Sequence, residues 1–462
     1  MENTRDKYKG LVSLGMSAVL LLGVGAVFTY TWYTAYKGRI EDPFFRRGNW
    51  LLILIYALLF LVFSRIYGGF RVGHLKRSEI IYSNMLEILF TNVVTYFQIS
   101  LIARKLLPPL PMVLMTVGDA VLICIWSFLS SSLYTKLYPP REVLLVYGSD
   151  LAYSLMGKLS SRRDRYQVKR AISIGRGVQE VEATILKHSS VILCDIPAKD
   201  RNTLLKFCYE HSVRVYITPK ISDILLRGAD IVDLFDTPIF VCRNLGLTLT
   251  QRAAKRALDL AVSLVAAIAA SPFMLITALA IKLYDKGPVL YKQKRLTKDG
   301  REFYVYKFRS MVVNAEKDGQ ARLASQNDDR ITPVGKLIRK IRFDELPQIF
   351  NVLFGDMSLV GPRPERPEIA EEYEKTMPEF RFRLKVKAGL TGYAQVKGRY
   401  NTTPYDKLRM DLMYIGNYSI LLDWKLLFMT VKILFLPEST EGIEEGARTA
   451  ERKHEALSDK HQ

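Results

Sequence analysis

The chain has 462 residues, 49% of them hydrophobic, and a net charge of +20 at neutral pH. That length allows two to four domains, and the charge suits a protein that lies on anionic lipid and handles phosphorylated substrates, although charge alone also admits nucleic acid. The four cysteines, Cys124, Cys194, Cys208 and Cys242, have no Cys-x-x-Cys or Cys/His spacing, which argues against a disulfide framework or zinc site and places the soluble parts in a reducing cytosol.

The first 140 or so residues hold most of the long apolar runs. Four stretches, Leu11 to Tyr36, Trp50 to Tyr67, Ile80 to Ile102 and Pro111 to Leu133, are each long enough to cross roughly 30 Å of hydrocarbon as helices. They predict a four-helix transmembrane bundle over residues 1–138. The first run is long, ends in the aromatic belt Tyr30, Trp32 and Tyr33, and lacks a small-residue cleavage site, so it reads as a retained span and not a signal peptide. Arg5, Lys7 and Lys9, and then Arg65, Arg71, Lys76 and Arg77, mark cytoplasmic loops; Lys37, Arg39, Arg46 and Arg47 on the opposing loop weigh against that orientation. The chain re-enters the cytoplasm at Lys136. Glu87 and Asn92, inside the third span, read as packing between helices ahead of a transport path.

Residues 139–247 predict a Rossmann-like α/β domain. Glu142 to Gly148, Val191 to Asp195 and Val213 to Ile217 read as buried strands with helical patterns between them. The dinucleotide fingerprint is absent: the first turn is Gly148-Ser-Asp150-Leu-Ala-Tyr153, whose side chains obstruct a pyrophosphate. A regulatory or assembly role is therefore favoured over NAD binding, and Asp195 reads as a loop-starting residue.

From Arg256 to Lys282 runs an apolar helix with Ser271-Pro272 at its middle. Proline removes a backbone hydrogen bond where little water replaces it, which leaves two outcomes: a kinked span, or a helix broken at Ser271-Pro272 that dips into the membrane and returns. Ser271 is expected to satisfy the freed backbone groups. Basic residues then dominate, among them Lys292, Lys294, Arg295, Lys307 and Arg309. Beside a membrane helix they suit anionic headgroups and a lipid phosphate. The alternation of Tyr304-Val-Tyr-Lys307-Phe-Arg309 predicts a strand aiming Lys307 and Arg309 at one site.

Thr332 and Pro333 predict a helix start, with Val334, Leu337, Ile338 and Ile341 as its buried face and an end near Arg342. Asp344 is expected to cap a second helix that Gly355 stops, with Leu346, Ile349, Phe350 and Leu353 buried. Asp344 and Glu345 then stand displayed at a helix N-terminus, with arginines on both sides.

Several motifs in fixed order carry a resemblance. Ser271-Pro272, Lys292-Gln-Lys-Arg295, Tyr306-Lys-Phe-Arg-Ser-Met311, Asp344-Glu-Leu-Pro-Gln-Ile-Phe-Asn-Val-Leu353, Gly355-Asp-Met-Ser358, Gly361-Pro-Arg-Pro364 and Lys387-Ala-Gly-Leu-Thr-Gly-Tyr393 resemble the bacterial sugar transferase family, the polyprenyl-phosphate hexose-1-phosphate transferases, in its large form. The match is close over the C-terminal third and architectural before it. It implies transfer of a sugar-1-phosphate from a UDP-sugar to undecaprenyl phosphate with release of UMP, at the cytoplasmic face of a bacterial inner membrane, as the first membrane step of exopolysaccharide, capsule or O-antigen synthesis.

The same resemblance implies Asp344 as nucleophile, Glu345 as Mg²⁺ ligand, Arg363 and Arg339 as phosphate ligands, and Asp356 as a second metal ligand. Lys294, Arg295, Lys307 and Arg309 complete the expected substrate-binding set. Nucleotide-activated sugars are cytosolic, so the re-entrant form of the Pro272 helix is preferred. No nucleic-acid partner is expected, and a homodimer is admitted. The expected architecture is a four-helix bundle, a Rossmann-like middle domain, and a re-entrant helix with a mostly α catalytic domain over 248–437. A non-catalytic membrane sensor binding a nucleotide-sugar through the middle domain is the alternative. An NAD-dependent epimerase or dehydratase lacks both the glycine fingerprint and a Tyr-x-x-x-Lys pair. After the catalytic motifs, Thr403-Pro404 predict a helix, Ser419 to Leu436 reads as lying on the membrane, and residues 438–462 read as a polar, disordered tail.

Overall fold

The computed structural model describes residues 7–40, 46–242, 246–313, 330–398 and 402–434; the expected tail after 437 lies outside them. The chain divides into two compact units, Met1–Thr218 and Pro219–Gln462.

The first unit opens with four helices: α1 (Lys9–Thr31, continued by a π turn Trp32–Tyr36), α2 (Arg46–Tyr67), α3 (Arg77–Ile102) and α4 (Leu110–Leu137). All four are long and apolar enough to cross a membrane, as is one helix of the second unit, five in total among the described residues. Their polarity is inverted relative to a water-soluble bundle. Leu51, Leu54, Leu58 and Val62 of α2 face outward, while Asn84, Glu87, Thr91 and Asn92 of α3 are buried. Inside hydrocarbon such groups must find partners within the bundle. Tyr56 Oη donates to Asn92 Oδ1 (2.9 Å), Asn92 Nδ2 donates to Thr116 Oγ1 (2.9 Å) and Asp119 Oδ2 (3.3 Å), and Gly69 N donates to Glu87 Oε1 (2.8 Å). Asn92 thus binds helix to helix, the role its sequence context favours, and Glu87 fastens the loop between α2 and α3.

A four-stranded parallel sheet follows, built from β1 (Arg141–Tyr147), β2 (Tyr166–Ser173), β3 (Ser190–Cys194) and β4 (Arg214–Ile217) in the order β2-β1-β3-β4. The helices α5 (Leu151–Ser160), α6 (Val178–Ile185) and α7 (Ala198–Glu210) connect them. The apolar run Val143–Val146 and all of β3 are buried, as a parallel sheet covered on both faces requires. At the C-terminal ends of β1 and β3 a Cβ on Gly148 would stand 2.4 Å from the Asp195 carbonyl oxygen. Ser149 Oγ donates to Asp195 Oδ2 across 2.5 Å. Gly148 is therefore needed for close packing of two strand ends.

The second unit begins with α8 (Ile221–Arg227), whose Ile221 and Ile224 join a core with Ala370, Phe380, Leu408 and Leu412. Next come the antiparallel hairpin of β5 (Asp230–Leu234) and β6 (Thr237–Val241) and the 37-residue helix α9 (Leu249–Asp285). The break expected at Ser271-Pro272 is not present, since α9 is continuous through Pro272. The reason is local. Pro272 has no N–H to give the Ile268 carbonyl four residues earlier, and Ser271 Oγ donates to that carbonyl instead (2.8 Å).

After α9 come the hairpin of β7 (Leu290–Leu296) and β8 (Glu302–Phe308), then α10 (Pro333–Lys340), α11 (Gln348–Phe354), β9 (Ser358–Val360), α12 (Pro367–Thr376), β10 (Gly389–Thr391), α13 (Tyr393–Lys397), α14 (Pro404–Gly416) and α15 (Ile420–Leu434). Thr332 and Thr403 cap α10 and α14, each with proline in the first turn, as the sequence predicts. On α15, Asp423 is buried with Leu426 and Met429, and Leu421 and Trp424 are the exposed side.

Candidate active site

α10 stops because Arg342 adopts a left-handed conformation (φ +59°). One 3₁₀ turn, Phe343–Glu345, follows, and α11 begins only after Pro347. Asp344 therefore does not cap α11, and the two carboxylates sit in a turn between helices. The buried face of α11 also differs from the predicted apolar stripe: Gln348, Ile349, Asn351 and Val352 are buried, whereas Phe350 is exposed. A polar residue is buried there because it is fully used. Asn351 Nδ2 donates to the Tyr304 carbonyl (2.7 Å), and Asn351 Oδ1 accepts from Tyr306 N (3.0 Å), so the edge of β8 is fastened to α11.

That fastening sets Lys307 opposite the dyad. Lys307 Nζ donates to Glu345 Oε1 at 3.1 Å, and Arg363 Nη2 reaches the same oxygen at 3.4 Å. Arg363 comes from the turn Gly361–Pro364, which crosses the β10 segment at closest approach. Gly361 N donates to the Thr391 carbonyl (2.8 Å), Gly389 N donates to the Pro362 carbonyl (2.9 Å), and a Cβ on Gly389 would lie 2.0 Å from Gly361 N. Arg383 Nη2 holds the Arg363 carbonyl from below (2.9 Å). The far end of α11 is closed by cations, as its dipole favours: Arg256 donates to the Val352 and Leu353 carbonyls, and Lys387 to that of Gly355. On the other side, the Phe343 ring meets Phe273 of α9 edge-on at 5.8 Å. The dyad turn thus rests on the middle of the apolar helix.

Neither carboxylate is freely displayed, contrary to the expectation of two solvated groups; the Glu345 side chain is 18% exposed. Their electrostatics separate them. Burial pushes the Glu345 carboxyl up, but Lys307, Arg363 and Arg342 together pull it well below the usual carboxylate range. Burial and the neighbouring Glu345 charge raise Asp344, against the opposing pull of Lys307, Arg339 and Arg342. Among the described residues Asp344 has no hydrogen-bond or ion-pair partner. The result is one fixed anion beside one unengaged carboxylate of raised basicity.

Of the other predicted residues, Arg339 lies within charge reach of Asp344, and Arg295 lies beside Arg363. Burial, helped by Arg363 and Arg366, pushes the Arg295 guanidinium down to about 10. Three do not join them. Arg309 is buried against Asp285, with Nη1 at 2.6 Å from one carboxylate oxygen and Nε donating to the Pro288 carbonyl (2.6 Å), so it locks the end of α9. Lys294 is exposed and pairs with Glu302 (3.1 Å) on the opposite face of the β7–β8 hairpin from Lys307. The Asp356 carboxylate is taken by Arg301 (3.0 Å), and its carbonyl accepts from Thr297. Arg342 and Asn351 escaped the sequence reading; Arg342 carries no signal beyond its place before the dyad.

The donor set for a metal is small. No group of three or more His, Cys, Asp or Glu residues that could hold an ion occurs among the described residues. Glu345 Oε2 nevertheless has no protein partner among them, and Asp344 adjoins it. Two carboxylates completed by water and substrate phosphate are a donor set that suits Mg²⁺.

A family model described as bacterial sugar transferase matches residues 250–437. The chain is 44% identical over 183 residues to a UDP-N-acetylgalactosamine-undecaprenyl-phosphate N-acetylgalactosaminephosphotransferase of Aeromonas hydrophila, covering 39% of this chain and 43% of that one. It is 42% identical over 219 residues to a UDP-glucose:undecaprenyl-phosphate glucose-1-phosphate transferase of Klebsiella pneumoniae, covering 46% and 45%. The chain spans less than half the length of these two curated relatives. A sugar transferase of Haemophilus influenzae whose activity is uncharacterized matches more fully, at 32% identity over 331 residues, 64% of this chain and 69% of that one. The chain belongs to the bacterial sugar transferase family.

Proposed function

We propose that this protein transfers a hexose-1-phosphate from a UDP-sugar to undecaprenyl phosphate, releasing UMP. The observation that carries this reading is the division within the dyad: Asp344 is unengaged and raised in pKa, while Glu345 is clamped by Lys307 and Arg363. The names of the relatives support the same reaction class. In the first step an Asp344 oxygen bonds to the β-phosphorus as the bond to the bridging oxygen breaks, and UMP departs with that bonding pair. In the second an oxygen of the lipid phosphate attacks the same phosphorus and frees Asp344.

An anion attacks an anion here, so neutralisation decides the rate. Lys307, Arg342 and Arg363 surround the dyad with fixed positive charge, and Arg339 is the proposed ligand of the lipid phosphate. Mg²⁺ held by Glu345 would supply further charge neutralisation on the diphosphate.

The reading includes a membrane topology. Residues from both halves of α9 contact one folded unit: Arg256 and Asp259 bind α11 and β9, and Ile281 packs on Phe308 and Ile338. Its outward residues between them, Leu264, Val265, Ile268, Leu275 and Ile276, are exposed and apolar. This supports both ends of α9 lying on one side of the membrane, with the catalytic unit on the cytoplasmic face of the inner membrane. The four preceding helices are read as transmembrane and the parallel sheet as Rossmann-like. Within this reading the reaction is the first membrane step of a surface polysaccharide, and a homodimer is compatible with it.

The test of the chemistry is Asp344→Asn, which is expected to abolish a radiolabelled phosphosugar-enzyme; an undiminished adduct in that variant rejects the nucleophile. Lys298→Cys in intact cells is expected to resist an impermeant maleimide until the membrane is opened, and labelling of intact cells rejects the topology.

A further inference from the structure

Next to Arg363 lies a second group of charges that the dyad chemistry does not use. Arg383 spans two carboxylates there, Asp411 at 2.8 Å and Glu365 at 3.7 Å. The main chain of Glu365 is tied to the end of β7, where its carbonyl accepts from Leu296 N (3.0 Å). This brings Arg295 within charge reach of Glu365 and Arg363. Lys407, on α14, lies within charge reach of Glu365, Arg363, Arg383 and Asp411. Asp411 pairs with Arg383 and Arg363 with Glu345, while Arg295 and Lys407 lie within charge reach of Glu365.

Lys407 is the informative member. Its side chain is half-buried, and among the described residues it makes no hydrogen bond or ion pair. Burial lowers its pKa ahead of any other cause. An ammonium taken partly out of water without a partner is costly, and an anion arriving there recovers the cost. We infer that Lys407, with Arg295 and Arg363, forms a second anion subsite that holds the phosphate departing with the nucleoside. Arg363 is common to this subsite and the dyad, which suits two phosphates joined through one bridging oxygen.

The surroundings favour the nucleotide phosphate over the lipid phosphate. Glu365, Arg383 and Asp411 make the vicinity of Lys407 polar. Arg339 instead shares its helix end with Leu337 and Ile341, which are 61% and 45% exposed and suit a prenyl chain. The inference rests on the proposed reaction, and its test separates the two.

Equilibrium binding of UMP to the full-length protein in lipid nanodiscs is the measurement, with uridine as the control lacking phosphate. A charge-assisted contact of about 1.5–3 kcal/mol predicts that Lys407→Gln weakens UMP roughly 10- to 100-fold. Lys407→Arg is expected to stay within a few-fold of the parent protein, and uridine binding to be indifferent to Lys407. Equal UMP affinity in Lys407→Gln and the parent protein overturns the subsite while leaving the reaction standing. Failure of the parent protein to bind UMP at all overturns the reaction, and the subsite with it.

Discussion

Lys307 Nζ donates to Glu345 Oε1 across 3.1 Å, joining a strand to the dyad turn. The contact holds the Glu345 carboxyl low and places a positive charge beside the proposed diphosphate position.

Replacing Lys307 with Met removes both effects. By the scale seen when one preorganised donor is lost from an active site, formation of the phosphosugar-enzyme is expected to slow about 10²–10³-fold. The Glu345 carboxyl is held low largely by Lys307, so its pKa rises in the variant. Activity that needs ionised Glu345 is lost as pH falls through that pKa, and the acid limb therefore moves to higher pH. Rapid-quench measurement of adduct formation across pH gives both numbers; a parental rate and an unshifted limb count against the assignment.

Arg339 offers a second pH test. The Asp344 carboxyl is raised by burial and by Glu345, and Arg339 is among the charges that oppose the rise. Arg339→Gln removes that opposition, so Asp344 keeps its proton to higher pH. Adduct formation requires the deprotonated carboxylate and involves no lipid phosphate, so its acid limb is expected to shift upward even though the lipid step is absent. An unchanged limb would place Arg339 outside the electrostatics of the nucleophile.

Features carried by local rules were legible in the sequence: the Thr332-Pro333 and Thr403-Pro404 helix starts, the Gly355 stop at φ +92°, the apolar helices and three of the four strands of the parallel sheet, β2 falling in a stretch that reads as helical. Arg363 and Glu345, expected at one site, lie 3.4 Å apart. What was not legible depends on partners distant in the chain. Arg309 reads as a substrate ligand until Asp285 is found beside it. The periodicity of α11 points to Phe350 and Leu353, but the unpaired edge of β8 makes Asn351 the buried residue. Arg342 in a left-handed conformation moves Asp344 off the helix cap, a backbone choice that arginine does not announce.

Asn351 accordingly makes a prediction about position and not charge. Asn351→Leu keeps the volume but strands the Tyr304 carbonyl and the Tyr306 N–H, each costing about 1–3 kcal/mol when buried. A lower Tm is expected together with a slower adduct step, because β8 no longer fixes Lys307 against Glu345. Asn351→Asp keeps the acceptor for Tyr306 N but loses the donor to Tyr304, and is expected to fall between the two. If Asn351→Leu lowers the Tm with no effect on the rate, the clamp supports the fold alone.

The last prediction concerns what anchors α9. Lys255 and Asp423, 7% and 1% exposed, meet at 2.6 Å, and Tyr414 Oη joins both, accepting from Lys255 (3.0 Å) and donating to Asp423 (2.7 Å). A buried pair of this kind adds little over well-packed apolar residues, but losing one partner leaves an uncompensated charge, at about 3–5 kcal/mol. Lys255→Met or Asp423→Leu alone is therefore expected to lower the Tm substantially in detergent, and the double variant to recover much of the loss. Non-additivity is the signature: the two substitutions touch one pair, so their effects cannot sum. Additive losses would mean that each side chain stabilises α9 separately and that the pairing itself contributes nothing.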